Sequence, residues 1–344
     1  MERLKKILQN ASQHGNPELN RIDYLDGWRG MAITCVLLSH FLSIKVFDLG
    51  RMGVDIFFVL SGMLMSNILF VKRLPLTKFY KRRISRILPV FIIYVSLICL
   101  LSYIFDLSRS NEHENYFYIV FFLRSYLPET AHIFHTGIPV GHIWSLNVEE
   151  HSYIILSVLT LIPILKQKEF IPLLVTGTCI IFLHYIYLKY PGLTSGGWDL
   201  KTEIVASHLF ISAGYFLIKD KFNYYIHSWM PVLSLFLGVL CYWREAPSSA
   251  TWVASPFLLA FTVNHLDSLS EKVKKVLSNK WLCLVGIYSY SIYLWQQPFY
   301  YYGVKFKEMF PFAGLVFLIT SIVIGIISFY CIENPIRKYL NNRW

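Results

Sequence analysis

Residues 310–331 read FPFAGLVFLITSIVIGIISFYC and contain no charged side chain. A helix needs about 20 predominantly apolar residues to cross the hydrocarbon core of a bilayer, so this stretch predicts a membrane-spanning helix. Stretches of similar character recur along most of the chain. Together they predict ten spans, at residues 28–47, 53–71, 84–105, 144–165, 169–188, 202–219, 226–242, 250–266, 282–302 and 310–331.

The composition of the whole chain agrees with this interpretation. Of its 344 residues, 55% are hydrophobic, 17% aromatic and 15% charged, and the mean hydropathy is +0.47. A water-soluble domain carries more charge and fewer apolar residues. The sequence therefore predicts an all-α, polytopic membrane protein with ten transmembrane helices.

The distribution of basic residues predicts how these helices are oriented, because Lys and Arg accumulate on the cytoplasmic side of a membrane protein. With the N-terminus in the cytoplasm, 23 of the 32 Lys and Arg residues lie on cytoplasmic segments. Both termini are then cytoplasmic, and the net charge of +11 reflects topology. Nucleic-acid binding is not expected, because no soluble domain remains to present a basic face.

This topology divides the chain into three parts. Residues 1–27 form a cytoplasmic N-terminal segment without the pattern of a cleavable signal peptide. Residues 28–331 form a single transmembrane domain, and residues 332–344 form a cytoplasmic tail. The loop 106–143 is the one external segment long enough to shape a binding surface.

Ionisable residues inside the spans are candidates for function, because a charge at the centre of a spanning helix costs about 2.5–3.5 kcal/mol. His40 should lie about 10 Å below the outer end of the first span, and Glu149 and Glu150 about 8–9 Å into the fourth. A carboxylate can orient a neutral imidazole, which then accepts the proton of a hydroxyl. The alternative is that His40 only bonds a neighbouring helix, with the glutamates satisfied elsewhere.

Three arginines lie near the predicted cytoplasmic face. Arg29 lies ~16 Å from His40 along the same helix, and could equally anchor that helix to lipid phosphates. Arg83 and Arg86 share one helical face. Guanidinium groups suit phosphate, so this pair could hold the diphosphate of a nucleotide-like donor. The alternative is a solvated basic cluster of the positive-inside type.

Other polar residues of the spans have competing interpretations. Asp55 could orient His40 or cap the helix of the second span. Gly62, in the same span, favours close helix packing. The hydroxyl groups of the ninth span, from Tyr288 to Tyr293, predict a packed polar seam rather than a reactive one.

Several catalytic motifs are absent from the sequence. It contains no GxSxG, GxxxxGK[ST] or HExxH motif and no metal-spaced cluster of His and Cys. A serine hydrolase, an ATP-driven pump and a zinc protease are therefore disfavoured, and no metal site is predicted. A proton-coupled secondary transporter remains an alternative to an enzyme, although no inverted repeat supports it. An inactive membrane scaffold or sensor is a third possibility.

Six segments, in this order, resemble motifs of the acyltransferase family 3 membrane proteins, which modify bacterial surface carbohydrates and some secreted small molecules. Because they cover nearly the whole chain in the expected order, the set is more specific than any single motif. The segments are RIDYLDGWRG at 21–30 with His40 following, GVDIFFVLSG at 53–62, RISR at 83–86, WSLNVEE at 144–150, YSYSIYLW at 288–295 and ENP at 333–335.

The resemblance implies a membrane-embedded O-acyltransferase of the bacterial inner membrane. Its donor would be a cytoplasmic acyl-CoA, usually acetyl-CoA, and its acceptor a hydroxyl of a cell-surface or lipid-linked carbohydrate on the outer side. The roles assigned on this basis are catalysis for His40, Glu149, Glu150 and Asp55, donor binding for Arg29, Arg83 and Arg86, and substrate binding for Trp144, Ser145 and Tyr293.

Two features of the sequence depart from the family. Many relatives carry a histidine at the position of Gln296, so Gln296 is not assigned a proton-transfer role. Some relatives append a soluble esterase-like domain, and this sequence, which ends at Trp344, is expected to be the form without one. The choice among lipopolysaccharide, capsule, exopolysaccharide, peptidoglycan, a glycolipid or a small metabolite as acceptor stays open, as does the oligomeric state.

Overall fold

The structure is a computed structural model that describes residues 22–42, 44–105, 112–128, 133–193, 198–303 and 312–344. Most of the predicted N-terminal segment therefore lies outside the described residues, as do 106–111 and 129–132 of the predicted external loop. Within the described ranges every regular element is a helix, and an isolated β-bridge joins Phe47 to Trp243. The prediction of an all-α fold is confirmed.

The chain forms a succession of helices joined mostly by short turns. The longer helices are α1 (Asp23–Leu42), α2 (Leu49–Ser66), α3 (Leu76–Ile104), α4 (Trp144–Leu159), α5 (Phe170–Lys189), α6 (Ser207–Ile218), α7 (Met230–Leu240), α8 (Ser255–Asn264), α9 (Lys280–Ile287), α10 (Ser289–Gly303), α11 (Ala313–Ser328) and α12 (Asn334–Arg343). Shorter helices lie at Tyr116–Val120, Thr202–Val205 and Glu271–Leu277. Single π-helical turns lie at Asn67–Val71, Ala250–Ala254 and Phe329–Glu333.

Within the described residues, four helical stretches are long and apolar enough to cross a membrane. They are Leu49–Val71, Leu76–Ile104, Phe170–Lys189 and Ala313–Arg343. The apolar stretches Met230–Leu240 and Ala250–Asn264 are shorter. The prediction of membrane-spanning helices is thus confirmed for four stretches, while the full count of ten stays a prediction.

The surface of α11 shows why lipid is a suitable solvent for this fold. Leu315, Ile319, Val323 and Ile327 follow one another at intervals of four residues, and each exposes about half of its surface. Such a continuous apolar stripe is unfavourable in water but matches the hydrocarbon of a bilayer.

The bounds of α1 differ from those predicted. This helix begins at Asp23 rather than residue 28 and ends at Leu42 rather than residue 47. The earlier end follows from the start of α2, where Asp48 caps the helix by accepting a hydrogen bond from the backbone N–H of Arg51 at 3.2 Å. The connection between the two helices must therefore begin several residues before Asp48.

The ninth predicted span is also different, because it bends at Tyr288 between α9 and α10. The backbone N–H of Tyr288 still donates to Leu284, and its carbonyl still accepts from Ile292. The polar seam predicted for this span is confirmed by hydroxyl contacts. Tyr288 pairs with Tyr330 at 2.7 Å, and Ser291 donates to Glu333 at 2.7 Å.

Glycines bring three pairs of helices into backbone contact: α1 with the short helix Glu271–Leu277, α1 with α9, and α2 with α6. A Cβ atom added to Gly27 of α1 would lie 1.6 Å from the carbonyl oxygen of Leu277, and one added to Gly286 of α9 would lie 1.8 Å from that of Asp26. A Cβ atom on Gly62 of α2 would lie 2.1 Å from the Leu209 carbonyl oxygen of α6. The packing role predicted for Gly62 is confirmed.

Candidate active site

The three predicted donor-binding arginines meet in one cavity, which we call the arginine cavity. Arg29 comes from α1, and Arg83 and Arg86 come from α3. The cavity has a volume of about 120 Å³. Its remaining polar lining consists of Ser61, Ser145, Glu149, Tyr153, Ser289, Tyr290 and Tyr293.

The arginines of this cavity differ in how strongly they are already engaged. Arg83 donates to Glu150 at 2.8 Å, and its guanidinium lies 3.5 Å from the ring centre of Tyr153. Arg29 pairs with Asp26 at 3.1 Å. Among the described residues Arg86 forms no hydrogen bond or ion pair, so its donors are available to a ligand.

The glutamates belong to this cavity and not to the histidine, which corrects the predicted arrangement. Glu149 accepts a hydrogen bond from Ser61 at 2.7 Å, and Glu150 binds Arg83. Because α1 ends at Leu42, His40 lies two residues from its end, about 3 Å along the axis. The depth of His40 in the membrane, and a layer shared with the glutamates, stay predictions.

His40 lines a second and larger cavity of about 690 Å³, which we call the histidine cavity. The loop before α4 forms part of its wall through Phe134, Ile138, Gly141 and His142. The described residues of the segment 106–143 thus contribute to a cavity wall, and a binding role for this segment stays a prediction. Four more aromatic side chains line this cavity, those of Trp144, Tyr293, Tyr300 and Tyr301.

The ring of His40 contacts an amide, whereas the predicted carboxylates Asp55, Glu149 and Glu150 bond other side chains. Its Nδ1 lies 2.8 Å from the Oε1 of Gln296, whose Nε2 donates to Gln297 at 3.1 Å. Because the amide oxygen can only accept, this network assigns the imidazole proton to Nδ1 and the lone pair to Nε2. Tyr300 stacks on the ring at 4.1 Å. Gln296, which was not assigned a proton-transfer role, is thus a partner that fixes the tautomer of His40.

The predicted substrate residues lie where the two cavities adjoin. Tyr293 lines both, and its hydroxyl donates to the His142 carbonyl at 2.8 Å. That leaves the Ser145 hydroxyl, 2.7 Å from the Tyr293 oxygen, as the donor to Tyr293. Trp144 faces the histidine cavity. A hydrogen-bonded tyrosine therefore separates the two cavities.

Asp55 has neither of its predicted roles. It does not contact His40, and the cap of α2 is Asp48. Its fully buried carboxylate accepts from the Nε of Arg51 at 2.9 Å and from the hydroxyl of Tyr242 at 2.9 Å. Asp55 therefore holds Arg51, which lines the histidine cavity.

Sequence reasoning missed Arg51 and His142 as cavity residues. Arg51 precedes Asp55 by four residues, a spacing at which helical side chains pair, and this was the available signal. Burial, followed by the proximity of His40, lowers the pKa of the His142 ring to about 3, although the Leu294 carbonyl acts in the opposite direction. His142 is therefore neutral at physiological pH.

Comparison with known proteins assigns this arrangement to a family. Residues 22–331 match the family described as an acyltransferase domain. The chain belongs to this acyltransferase family. The match covers every described helix from α1 to α11 and both cavities.

Several acyltransferases of known name are similar to the chain over most of its length. It is 25% identical to the O-acetyltransferase OatA of Staphylococcus aureus, with 91% of this chain and 57% of the relative aligned. It is also 25% identical to the peptidoglycan O-acetyltransferase OatA of Listeria monocytogenes, with 91% and 55% aligned. The chain thus spans a little over half the length of these acyltransferases. No solved structure matches it.

Proposed function

We propose that the chain is a membrane-embedded O-acyltransferase that moves an acyl group, most simply acetyl, from cytoplasmic acyl-CoA to a hydroxyl of a carbohydrate or glycolipid. The observation that carries this proposal is the pair of adjoining cavities in a member of the acyltransferase family. One cavity presents arginines and the other presents an oriented histidine. The peptidoglycan acceptor named for the Listeria relative supports a carbohydrate acceptor.

The proposal includes the predicted setting in the membrane. Ten transmembrane helices, with both termini in the cytoplasm, would place residues 28–331 as one domain in the bacterial inner membrane. The four long apolar stretches support this arrangement. The arginine cavity would then open toward the cytoplasm, and the histidine cavity toward the acceptor on the outer side.

In this scheme acyl-CoA binds from the arginine cavity. A volume of about 120 Å³ suits the narrow pantetheine arm rather than the nucleotide, so the phosphates would remain at the mouth with Arg86. Arg29 and His40 lie on one continuous helix, α1, about 16 Å apart. A pantetheine arm of this length would bring the thioester to Tyr293, which lines both cavities.

The acceptor hydroxyl would bind in the histidine cavity. The Nε2 of His40 takes its proton while the hydroxyl oxygen attacks the thioester carbonyl and forms the new ester bond. The carbon–sulfur bond breaks, and the CoA sulfur leaves and recovers the proton from His40. Trp144 and Tyr300 offer flat faces against which a sugar ring can pack. Glu150 acts on the donor side by holding Arg83, and Glu149 lines the same cavity.

The decisive experiment uses the purified full chain in proteoliposomes with labelled acetyl-CoA and a set of candidate glycans. We expect CoA release that depends on the acceptor, together with glycans heavier by one acetyl group in mass spectrometry. Uptake of a small molecule driven by a proton gradient, without consumption of acetyl-CoA, would show that the protein is a transporter instead.

Replacing Arg86 with glutamine should weaken donor binding. The guanidinium of Arg86 is unpaired among the described residues, and hydrogen bonds to charged groups contribute about 1.5–3 kcal/mol. We expect the KM for acetyl-CoA to rise about 10- to 100-fold, measured by CoA release at varied donor concentration.

The matched control is Arg82→Gln, because Arg82 lies on the same helix but is exposed and does not line the cavity. This variant should keep the wild-type KM. Equal KM values for the Arg86→Gln and wild-type proteins would contradict the donor site.

Replacing Gln296 with alanine should lower kcat about tenfold, because loss of a partner that orients a catalytic ring typically costs 10- to 100-fold. The KM for acetyl-CoA should not change, since Gln296 does not line the arginine cavity. Gln296→His should restore much of kcat, because an imidazole can accept the same proton from His40 Nδ1. A Gln296→Ala protein with wild-type kcat would show that the His40 tautomer is fixed in another way.

A further inference from the structure

Arg51 presents unused hydrogen-bond donors to the histidine cavity. Its side chain is 23% exposed, and its Nε donates to Asp55. Within the described part of the chain, its terminal nitrogens Nη1 and Nη2 form no hydrogen bond. The guanidinium carbon lies 5.6 Å from the ring centre of Trp144. A cation with free donors therefore faces the same space as His40.

A buried network holds this guanidinium in place. Asp55, its carboxylate partner, also accepts from Tyr242 at 2.9 Å, and the Tyr242 oxygen lies 3.0 Å from the Ser255 hydroxyl. The Nδ1 of His208 lies 3.5 Å from the other Asp55 oxygen. The carboxylate charge is thus shared among several groups, and the position of Arg51 is set by three helices, α2, α6 and α8, together with the turn after α7.

The free donors of Arg51 match one kind of ligand. A guanidinium held through Nε keeps the fork of its two terminal nitrogens, which binds the paired oxygens of a carboxylate or phosphate. Among the described lining residues, Asp48 carries the other carboxylate or guanidinium charge. One oxygen of the Asp48 carboxylate accepts a hydrogen bond from the backbone N–H of Arg51. Asp48 would repel an anion placed beside it, so the ligand must lie on the Trp144 side of Arg51.

We propose that Arg51 binds an anionic group of the acceptor, either a carboxylate or a phosphate ester carried by the sugar. This inference rests on the proposed function, because it takes the histidine cavity as the acceptor site. It goes further by naming the acceptor class as acidic sugars. The phosphates of the donor are assigned elsewhere, to the arginine cavity on the other side of Tyr293, so they do not account for Arg51.

The test compares three acceptors of matched size with the full chain in proteoliposomes. They are a methyl glucuronide, which carries a carboxylate, a glucose phosphate, which carries a phosphate ester, and a neutral methyl glucoside. We expect kcat/KM to be about 30-fold higher for at least one acidic acceptor than for the neutral one. The better of the two acidic acceptors identifies the anion. Equal values for all three would overturn the proposal.

Variants of Arg51 connect the preference to this side chain. Arg51→Gln should reduce the ratio of acidic to neutral kcat/KM by about 30-fold, and Arg51→Lys should restore only part of it because lysine lacks the fork. Arg244→Gln, at an exposed arginine, is the matched control and should keep the wild-type ratio. A ratio unchanged in Arg51→Gln would overturn the assignment. Arg51→Gln leaves the Asp55 carboxylate buried without its cation, which can prevent folding. If Arg51→Gln does not fold, Arg51→Lys and the comparison of acceptors with the wild-type protein still test the proposal.

Direct binding separates failure of this inference from failure of the proposed function. The same three sugars are titrated calorimetrically into the reconstituted protein without acetyl-CoA. Binding of acidic sugars that is weakened in Arg51→Lys, in a protein that consumes no acetyl-CoA with any acceptor, would support the anion site and contradict the transferase. Acetyl transfer with no preference for acidic sugars in either assay would contradict the anion site alone.

Discussion

Replacing His40 with alanine is expected to reduce acyl transfer by about 100- to 10,000-fold, the usual contribution of a general base. The structure supplies the reason for so large an effect. Gln296 fixes the proton on Nδ1, so Nε2 is the basic atom, and alanine leaves no other base oriented in this way. The measurement is the rate of acetyl transfer to an accepted glycan by the full chain in proteoliposomes.

The expected loss should appear in kcat and not in donor affinity, because His40 does not line the arginine cavity. His227→Ala is the matched control, since His227 is exposed, and it should keep the wild-type rate. A His40→Ala protein that folds normally and transfers acetyl groups at the wild-type rate would end the proposed mechanism.

Replacing Gly286 with alanine is expected to lower the stability of the fold strongly. The new methyl group would lie 1.8 Å from the carbonyl oxygen of Asp26, well inside contact distance, and this atom belongs to the backbone of α1. The two helices would have to separate. Overpacking of this kind typically costs about 1–3 kcal/mol and occasionally more, and contact with rigid backbone places this site at the upper end of the range.

The measurement is thermal unfolding of the purified protein in detergent, with size-exclusion chromatography to detect aggregation. Gly192→Ala provides a control of identical chemistry, because no atom lies within 4 Å of the added carbon. We expect a markedly lower Tm for Gly286→Ala and an unchanged one for Gly192→Ala. Similar Tm values for both variants would show that α1 and α9 are less tightly packed than described.

Gly286→Ala should also impair donor binding, although the substituted residue lies outside the arginine cavity. Asp26, whose carbonyl the methyl group would displace, pairs with Arg29 through its side chain. Movement of α1 would therefore shift a lining residue of the arginine cavity. An increased KM for acetyl-CoA in whatever folded protein remains would link helix packing to the site.

Hydropathy was enough to predict the helical fold and the long apolar stretches, because lipid selects strongly for length and composition. It did not predict helix ends. The stretch after Leu42 is still fairly apolar, yet α1 ends there because the cap of the next helix is Asp48. The local signals of a cap and a turn compete with hydropathy, and here the local signals decided the boundary.

The site was predictable in its membership more than in its contacts. The three arginines do meet, and Arg29 and His40 do lie on one helix. The predicted pairing of His40 with Glu149, Glu150 or Asp55 was wrong, because distance along a helix axis does not specify which neighbour the side chain faces. The actual partner, Gln296, is 256 residues away in sequence, and such a contact becomes visible only after the helices are packed.

The tyrosine between the two cavities has a consequence for the energy supply of the cell. In the proposed arrangement the two cavities open to opposite sides of a bilayer. A continuous chain of water molecules through both cavities would conduct protons and dissipate the proton gradient. The hydroxyl of Tyr293 is hydrogen-bonded to Ser145 and to the His142 carbonyl, so it interrupts such a chain of water molecules. A protein built in this way can pass an acyl group across the barrier while the membrane remains an electrical insulator.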